Sequence, residues 1–294
     1  MAHIHFTRGI YKIPYLQKYL RPLRWANKYS HAVWGLKPSS LHFRRANDNQ
    51  VLSLEDGFLR SFQSGQRQPP LSLVVDTNHI YYDCLRGTGL EDLLNENDEV
   101  VFGINWLHIK CAKEEHKKRQ LSKYNHAPDF DASVFDRLHG YGRKKILLID
   151  QTAGDLSIVY GGADAGSFQR MLAAARAEHP DALIVVKTHP EVSGGRKKGY
   201  LSDVMADERT CVLRDSVNPI QLLQAVDAVY VVTSTMGFEA LLVGKPVTTF
   251  GVPWYAGWGV TDDRVTFEQA QDIWKKTEPT LSKTQRKINR LLPP

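Results

Sequence analysis

From residue 145 to residue 250 the chain alternates short apolar runs with stretches of helical period, and that alternation leaves few folds open. Strands are expected at 145–150, 182–187, 211–213, 228–232 and 246–250. Helices are expected at 166–179 and 218–225, with a short one opening near Met236 and stopping at Gly244. Strands separated by helices pair in parallel and carry the helices on both faces, so the class is α/β. In open sheets of this kind ligands bind beyond the carboxyl ends of the strands. The loops that follow the strands are therefore the places to look for chemistry.

The first half is less regular. Strands are expected at 3–6, 31–34, 51–54 and 73–76, with a Gly/Gln/Pro-rich interruption at 64–70. Residues 91–123 read as mainly helical, ending in a charged run, and 125–143 as a polar hinge. The expected division is an N-terminal acceptor-side domain with hinge at 1–142, a C-terminal sugar-nucleotide-binding domain at 143–265 and a basic helical segment at 266–294. Two α/β halves about a hinge place a cleft between the carboxyl ends of their strands.

With 294 residues and 42% hydrophobic content the chain can bury real cores. Its longest purely apolar runs are strand-sized, so no membrane-crossing helix is expected. Met1-Ala-His-Ile-His-Phe6 lacks the apolar core of a signal peptide. Cys84, Cys111 and Cys211 are scattered and odd in number, which argues for a reducing compartment and against a disulfide framework or zinc cluster. The cytoplasm is the expected location. Net charge is +6, gathered at Arg21–Arg24 with Arg44-Arg45, at 110–123 and at 275–290. Aromatic residues are not interleaved with these clusters, which disfavours nucleic acid. A basic face also suits an anionic membrane surface, a charged lipid acceptor or an anionic sugar nucleotide.

Four strand-end loops carry reactive groups. Glu55-Asp56-Gly57 with Arg60 follows the 51–54 strand. One carboxylate can act as general acid/base while Arg60 holds it or an anionic ligand; the alternative is an exposed salt-bridged turn. Asp150-Gln-Thr-Ala-Gly-Asp155 follows 145–150. Asp155, at the tip of a Gly154 bend, can serve as nucleophile or electrostatic stabiliser, or can cap the next helix. Asp150 and Gln151, nearer the sheet, read as supporting groups. Lys187-Thr-His189-Pro190 follows 182–187; Pro190 holds His189 extended, and both cations can reach a phosphate. Last comes Ser234-Thr235-Met-Gly237, where backbone N–H groups and two hydroxyls at a helix start suit an anion. Glu239, in the first turn of that helix, can reach a ribose hydroxyl. The Phe250–Arg264 stretch is aromatic and glycine-rich and suits either a sugar or base pocket or packing between domains. Asp129-Phe-Asp131 has the Asp-x-Asp form of metal-dependent transferases but reads as a helix cap, so no metal is expected.

Longer motifs join these loops: Leu54-Glu-Asp-Gly-Phe-Leu-Arg-Ser61, Pro70-Leu-Ser-Leu-Val-Val-Asp76 with Ile80-Tyr-Tyr-Asp83, Leu121-Ser-Lys-Tyr-Asn125, Asp150-Gln-Thr, Lys187-Thr-His-Pro190, Gly199-Tyr-Leu201 and 250–263. From about Gly9 to Arg264 the sequence resembles the capsule polysaccharide biosynthesis family, and more closely a single module of the KpsC-type β-Kdo transferases, Kdo being 3-deoxy-D-manno-oct-2-ulosonic acid. The resemblance implies a GT-B-like fold, two Rossmann-like domains facing a central cleft. It also implies a CMP-β-Kdo donor and transfer with retention. The implied acceptor is a Kdo-bearing or phosphatidylglycerol-linked glycolipid or glycan.

In the family pattern His189 and the Ser234-Thr235 turn contact CMP, Glu55 is the acid/base and Asp155 the nucleophile. KpsC-type proteins carry two such modules, whereas this sequence spans one, so linkage and acceptor are not carried over. A sialyltransferase-like enzyme using CMP-sialic acid and a non-catalytic capsule-assembly module are the alternatives. The basic segment at 267–292 either packs across both domains or lies against the inner membrane as a peripheral contact.

Overall fold

The computed structural model describes residues 5–6, 10, 13–16, 20, 31–37, 40, 51–63, 68–96, 106–139, 142–195 and 197–277. The Arg21–Arg24 and Arg44-Arg45 clusters, most of the 64–70 interruption and residues 278–294 lie outside them. The described residues of Met1–Asp98, Lys123–Asn125 and Lys275 onward form one compact unit, and those of Glu99–Ser122 and His126–Trp274 a second.

The first unit holds a four-stranded sheet, β1 (His5–Phe6), β2 (His31–Trp34), β3 (Val51–Asp56) and β4 (Leu73–Asp76), in that order. The first three strands are parallel, and β4 runs antiparallel to β3, pairing Glu55 with Val74 and Asp56 with Leu73. No helix separates β3 from β4 among the described residues, so β4 turns back as a long hairpin rather than crossing over. Ile10, Leu16, Leu20, Ala32, Leu52 and Leu54 form the core of this unit. Helix α1 (Gly89–Asn95) follows, capped by Thr88, whose hydroxyl accepts from Glu91 N–H.

The second unit opens with α2 (Trp106–Arg119) and α3 (Ser133–His139). It continues through β5 (Lys145–Ile149), α4 (Leu156–Tyr160), α5 (Ala165–Glu178), β6 (Leu183–Lys187), α6 (Pro190–Ser193), β7 (Thr210–Leu213) and α7 (Pro219–Gln224). It ends with β8 (Ala228–Val231), α8 (Met236–Leu242), β9 (Val247–Thr249), β10 (Asp262–Asp263) and α9 (Phe267–Thr277). The strands make one parallel sheet of order β10-β9-β8-β5-β6-β7. This is the doubly wound arrangement of dinucleotide-binding folds, and the strand order reverses between β5 and β8. Alternation along β5 feeds both faces: Leu147 and Ile149 join a core with Phe135, Ile220, Leu223 and Ala240, while Ile146 and Leu148 join one with Ile158, Phe168, Met171 and Ala175.

Two sequence expectations are corrected. The helix expected over 91–123 is not continuous: among the described residues α1 ends at Asn95, with Glu96 as its C-cap, and α2 begins at Trp106. The expected hinge at 125–143 contains α3, and the boundary at 142/143 does not separate the compact units. The reason is packing: Phe135 is fully buried in the second unit's core. The preceding segment is also tied to α7, since Gln221 accepts from Phe130 N–H and donates to Asp129 at 2.8 Å, and Asn218 N–H donates to Pro128 O at 2.7 Å. The basic segment expected at 266–294 begins with α9, whose residues up to Trp274 belong to the second unit. Ala270 is buried, and the Trp274 ring lies 5.1 Å from that of Tyr160. Asp131 behaves as a cap, accepting from Ser133 N–H at 3.0 Å, and it pairs with Arg137. No helix among the described residues is long and apolar enough to cross a membrane.

Gly162 admits α9. Its φ is +63°, and a Cβ there would fall 2.2 Å from that of Ala270. Gly162→Ala is expected to cost about 1–3 kcal/mol in denaturant unfolding, combining left-handed strain with overpacking. A loss below about 0.5 kcal/mol would mean that α9 is not seated there in solution.

Candidate active site at the strand ends

The end of β5 is a hydrogen-bond hub. Asp150 is 1% exposed, and its Oδ1 accepts from the N–H groups of Gln151, Tyr200 and Leu201 at 2.9, 2.9 and 3.1 Å. Its Oδ2 has no partner among the described residues and lies against Gly199, where a Cβ would be 2.0 Å away. Burial holds the Asp150 carboxyl above the ordinary aspartate range, opposed by those three N–H groups. Gln151 spans the point where the strand order reverses: its carboxamide accepts from Thr233 N–H at 3.0 Å and donates to Thr233 Oγ1 at 3.1 Å. Thr233 was not singled out by sequence reasoning, because its role depends on a partner 82 residues away. Both supporting residues thus position loops.

Gly154 N–H meets the Tyr200 hydroxyl at 3.4 Å, and the Tyr200 ring stacks on Phe168 at 4.4 Å. Asp155 is the N-cap of α4, with Oδ1 accepting from Ser157 N–H at 2.9 Å. One carboxylate oxygen is thereby oriented, and the other has no partner among the described residues.

Lys187 closes β6 and is 7% exposed, its ammonium donating to Thr188 O at 2.7 Å. Burial pushes it down to about 8, partly opposed by the charge of Asp215. A buried ammonium with one acceptor among the described residues is primed for an anion. His189 is the N-cap of α6 and accepts from Glu191 N–H at Nδ1, 3.2 Å, which puts the neutral ring's proton on Nε2. Burial holds His189 below its ordinary value; the charges of Glu191 and Asp155 oppose this and that of Lys187 reinforces it. The ring is therefore a neutral Nε2–H donor at pH 7, within electrostatic reach of both Asp155 and Lys187.

The turn before α8 is organised differently from expectation. Gly237 N–H donates to Ser234 O at 3.0 Å, and Met236 N–H to Ser234 Oγ at 3.3 Å. Gly237 makes room for Tyr255, whose hydroxyl would be 2.2 Å from a Cβ there and donates to Ser234 O at 2.5 Å. Thr235 makes no side-chain cap. Glu239, expected to reach a ribose, is turned inward: it is 3% exposed and accepts from the Ser122 hydroxyl at 2.6 Å. Of the groups expected to meet an anion here, the Gly237 N–H is taken by Ser234 O and the Ser234 hydroxyl accepts from Met236 N–H.

In the first unit Glu55 and Asp56 end β3. Asp56 is held by Arg60 Nε at 3.1 Å, and Arg60 is itself buried, donating also to Ser61 Oγ and Gln68 O. Of the two roles open to Arg60, this structure shows the holding of a carboxylate. Burial pushes Glu55 up to about 7, against the N–H of Asp56 and with the Asp56 charge adding to the rise, while Lys123 and Lys37 pull it down. Lys123, in the Leu121–Asn125 motif but given no role there, reaches this loop through its carbonyl as well, which accepts from Arg60 N–H at 3.1 Å. A cavity of about 590 Å³ lined by Arg143, Lys144, His179 and Arg209 lies at the opposite, amino ends of β5 and β6, away from these groups.

Glu55 carries a stability signature. Its proton is held by the folded chain from its ordinary 4.5 up to about 7 but released by the unfolded chain, so stability falls as pH rises through that window and levels above it. Glu55→Gln should match the native protein in melting temperature at pH 5 and exceed it by a few degrees at pH 8. Equal melting temperatures at both values would remove the raised acid.

Residues 105–290 match the capsule polysaccharide biosynthesis protein family. The chain is 46% identical over 267 residues to the capsule polysaccharide modification protein LipA of Neisseria meningitidis serogroup A, covering 88% of this chain and 38% of LipA. It is 37% identical over 212 residues to the lipopolysaccharide-processing protein LpsZ of Rhizobium meliloti, covering 72% of this chain and 48% of LpsZ. It thus spans less than half the length of these curated relatives. Among solved structures, the β-Kdo 2,4 transferase of Thermosulfurimonas dismutans KpsC is similar with TM-score 0.78 and 35% identity, covering 99% of this chain and 98% of that one. The β-Kdo 2,7 transferase of the same KpsC follows at TM-score 0.54 and 29% identity, covering 85% and 78%. By its sequence the chain belongs to the capsule polysaccharide biosynthesis protein family.

Proposed function

We propose that this protein is a retaining glycosyltransferase that moves Kdo from CMP-β-Kdo to a Kdo-bearing or phosphatidylglycerol-linked glycolipid or glycan, forming a β-Kdo linkage. The observation that carries the reading is the grouping of Asp155, Lys187 and His189 at the carboxyl edge of the second sheet, beside the β5/β8 reversal. It is supported by likeness over almost the whole chain to a β-Kdo 2,4 transferase domain. In this reading the enzyme is of the GT-B-like class and works in the cytoplasm.

The chemistry follows from those groups. The anomeric carbon of Kdo bears a carboxylate and has no hydroxyl on the neighbouring ring carbon. As its bond to the CMP phosphate oxygen breaks, the electron pair leaves with CMP, whose phosphate is met by the Lys187 ammonium and the His189 Nε2–H without need of a metal. The uncapped oxygen of Asp155 bonds to the oxocarbenium-like carbon, while Ser157 N–H holds the other oxygen in place. In a second displacement the acceptor hydroxyl replaces Asp155 and gives its proton to a general base, a role to which the raised proton affinity of Glu55 is suited near neutrality. Two inversions give retention.

The decisive assay is CMP release from CMP-Kdo generated in the same vessel, with and without a Kdo-bearing glycolipid, and product mass by spectrometry. Acceptor-dependent release with a heavier glycolipid is expected. Turnover of CMP-sialic acid with none of CMP-Kdo would move the donor, and silence with both would defeat the enzyme reading. Asp155→Ala should lower transfer at least about a thousandfold while CMP affinity stays within about threefold; full activity removes Asp155 from the chemistry. CMP affinity should weaken about five- to tenfold between pH 7 and 9 as Lys187 loses its proton, and Lys187→Met should flatten that dependence in calorimetry. A pH-independent native affinity would take Lys187 out of the phosphate site.

A further inference from the structure

The loop between β9 and β10 holds an aromatic ring that neither the core nor the proposed chemistry uses. Phe238, Trp254 and Tyr255 pack on one another, with centroids 4.5 Å apart for Phe238–Trp254 and 5.4 Å for Trp254–Tyr255. Trp258 stands outside that cluster: among the described residues its ring contacts no other ring, and it is 37% exposed beside Val260 at 58%. Leaving this much apolar surface in water is unfavourable. Yet the loop is built to keep it there. The Trp258 indole N–H donates to Trp254 O at 3.0 Å. On the other flank Gly257 N–H donates to Asp263 Oδ2 at 2.8 Å, while Asp263 Oδ1 accepts from Thr249 and Thr261 at 3.0 and 2.7 Å. The backbone at Gly257 has φ +83°, which sets the turn that presents the ring. Tyr255, three residues earlier, bonds to Ser234 O, so the loop belongs to the same sheet edge as the proposed donor turn.

We propose that Trp258 is a stacking platform for a sugar ring of the acceptor glycan. This inference rests on the glycosyltransferase reading and adds an acceptor subsite to it. A held indole, 37% exposed, offers part of an apolar face with little rotamer freedom left to lose on binding, which suits the C–H face of a pyranose whose hydroxyls stay in water. A nucleobase would need in-plane donors and acceptors to read its edge. The neighbouring Gly257, Gly259 and Val260 have no such side-chain groups, and the Thr261 hydroxyl is committed to Asp263.

The test compares Trp258→Ala and Trp258→Phe with the native chain, each first checked for an unchanged melting temperature. The alanine variant should raise KM for a Kdo-bearing acceptor about tenfold, with kcat and the donor KM within about threefold, and phenylalanine should restore most of the loss. Independently, a Kdo disaccharide glycoside should change the native tryptophan fluorescence. It should bind the phenylalanine variant by calorimetry without that change, and bind the alanine variant at least about tenfold more weakly. Unchanged acceptor KM and glycan affinity in Trp258→Ala would overturn the platform, as would a rise confined to the donor KM, which would put the ring on the donor's base. Should the native protein leave CMP-Kdo untouched, the function reading fails while the glycan titration still decides the platform.

Discussion

The Asp150 carboxyl and the Gln151 carboxamide, adjacent at the end of β5, reach in two directions. Asp150 gathers the N–H groups of Tyr200 and Leu201, and Gln151 bonds Thr233 beyond β8. Parallel sheets leave the ends of their strands to irregular loops, whose polar backbone must be satisfied by something other than the ladder. Here two buried side chains do it, so the loops carrying Asp155, Lys187 and His189 share anchors. Gly199 belongs to the same device, since any side chain there would occupy the space of the Asp150 carboxyl.

Burial then sets the protonation states that chemistry can use. Lys187 and His189 are both pushed toward their neutral forms by the environment that holds them, and Glu55 is pushed the same way in the first unit. In the proposed reading an anionic phosphate would favour the charged form of Lys187 and so offset the penalty of its burial.

Much of the second unit was legible because its signals are local. Strand runs such as Ile146–Ile149 are apolar over the length of a strand, and Pro190 after His189 and the Gly154 bend announce what the backbone does next. Asp155 at the tip of that bend was readable as a reactive group, and its capping of α4 was among the roles open to it. The segment from His126 was misread because a polar stretch looks like a linker, and the burial of Phe135 with the bonds to Gln221 and Asn218 shows that it belongs to the second unit. Trp258 and Tyr255 were equal letters of one aromatic motif until packing buried one and left the other in water.

By itself, then, the sequence determined the α/β class, the strands from β5 to β9 with the helices α5, α7 and α8 between them, though not the short α4 and α6, and the set of polar residues at the strand ends, since periodicity and turn chemistry act over a few residues. The tertiary structure decided what those polar residues face. Glu239 turns inward to Ser122, 117 residues away, Gly237 yields its space to Tyr255, and Arg60 is spent on Asp56 and on carbonyls of its own loop. Those outcomes depend on which distant groups come within hydrogen-bonding range, and no local pattern contains that information.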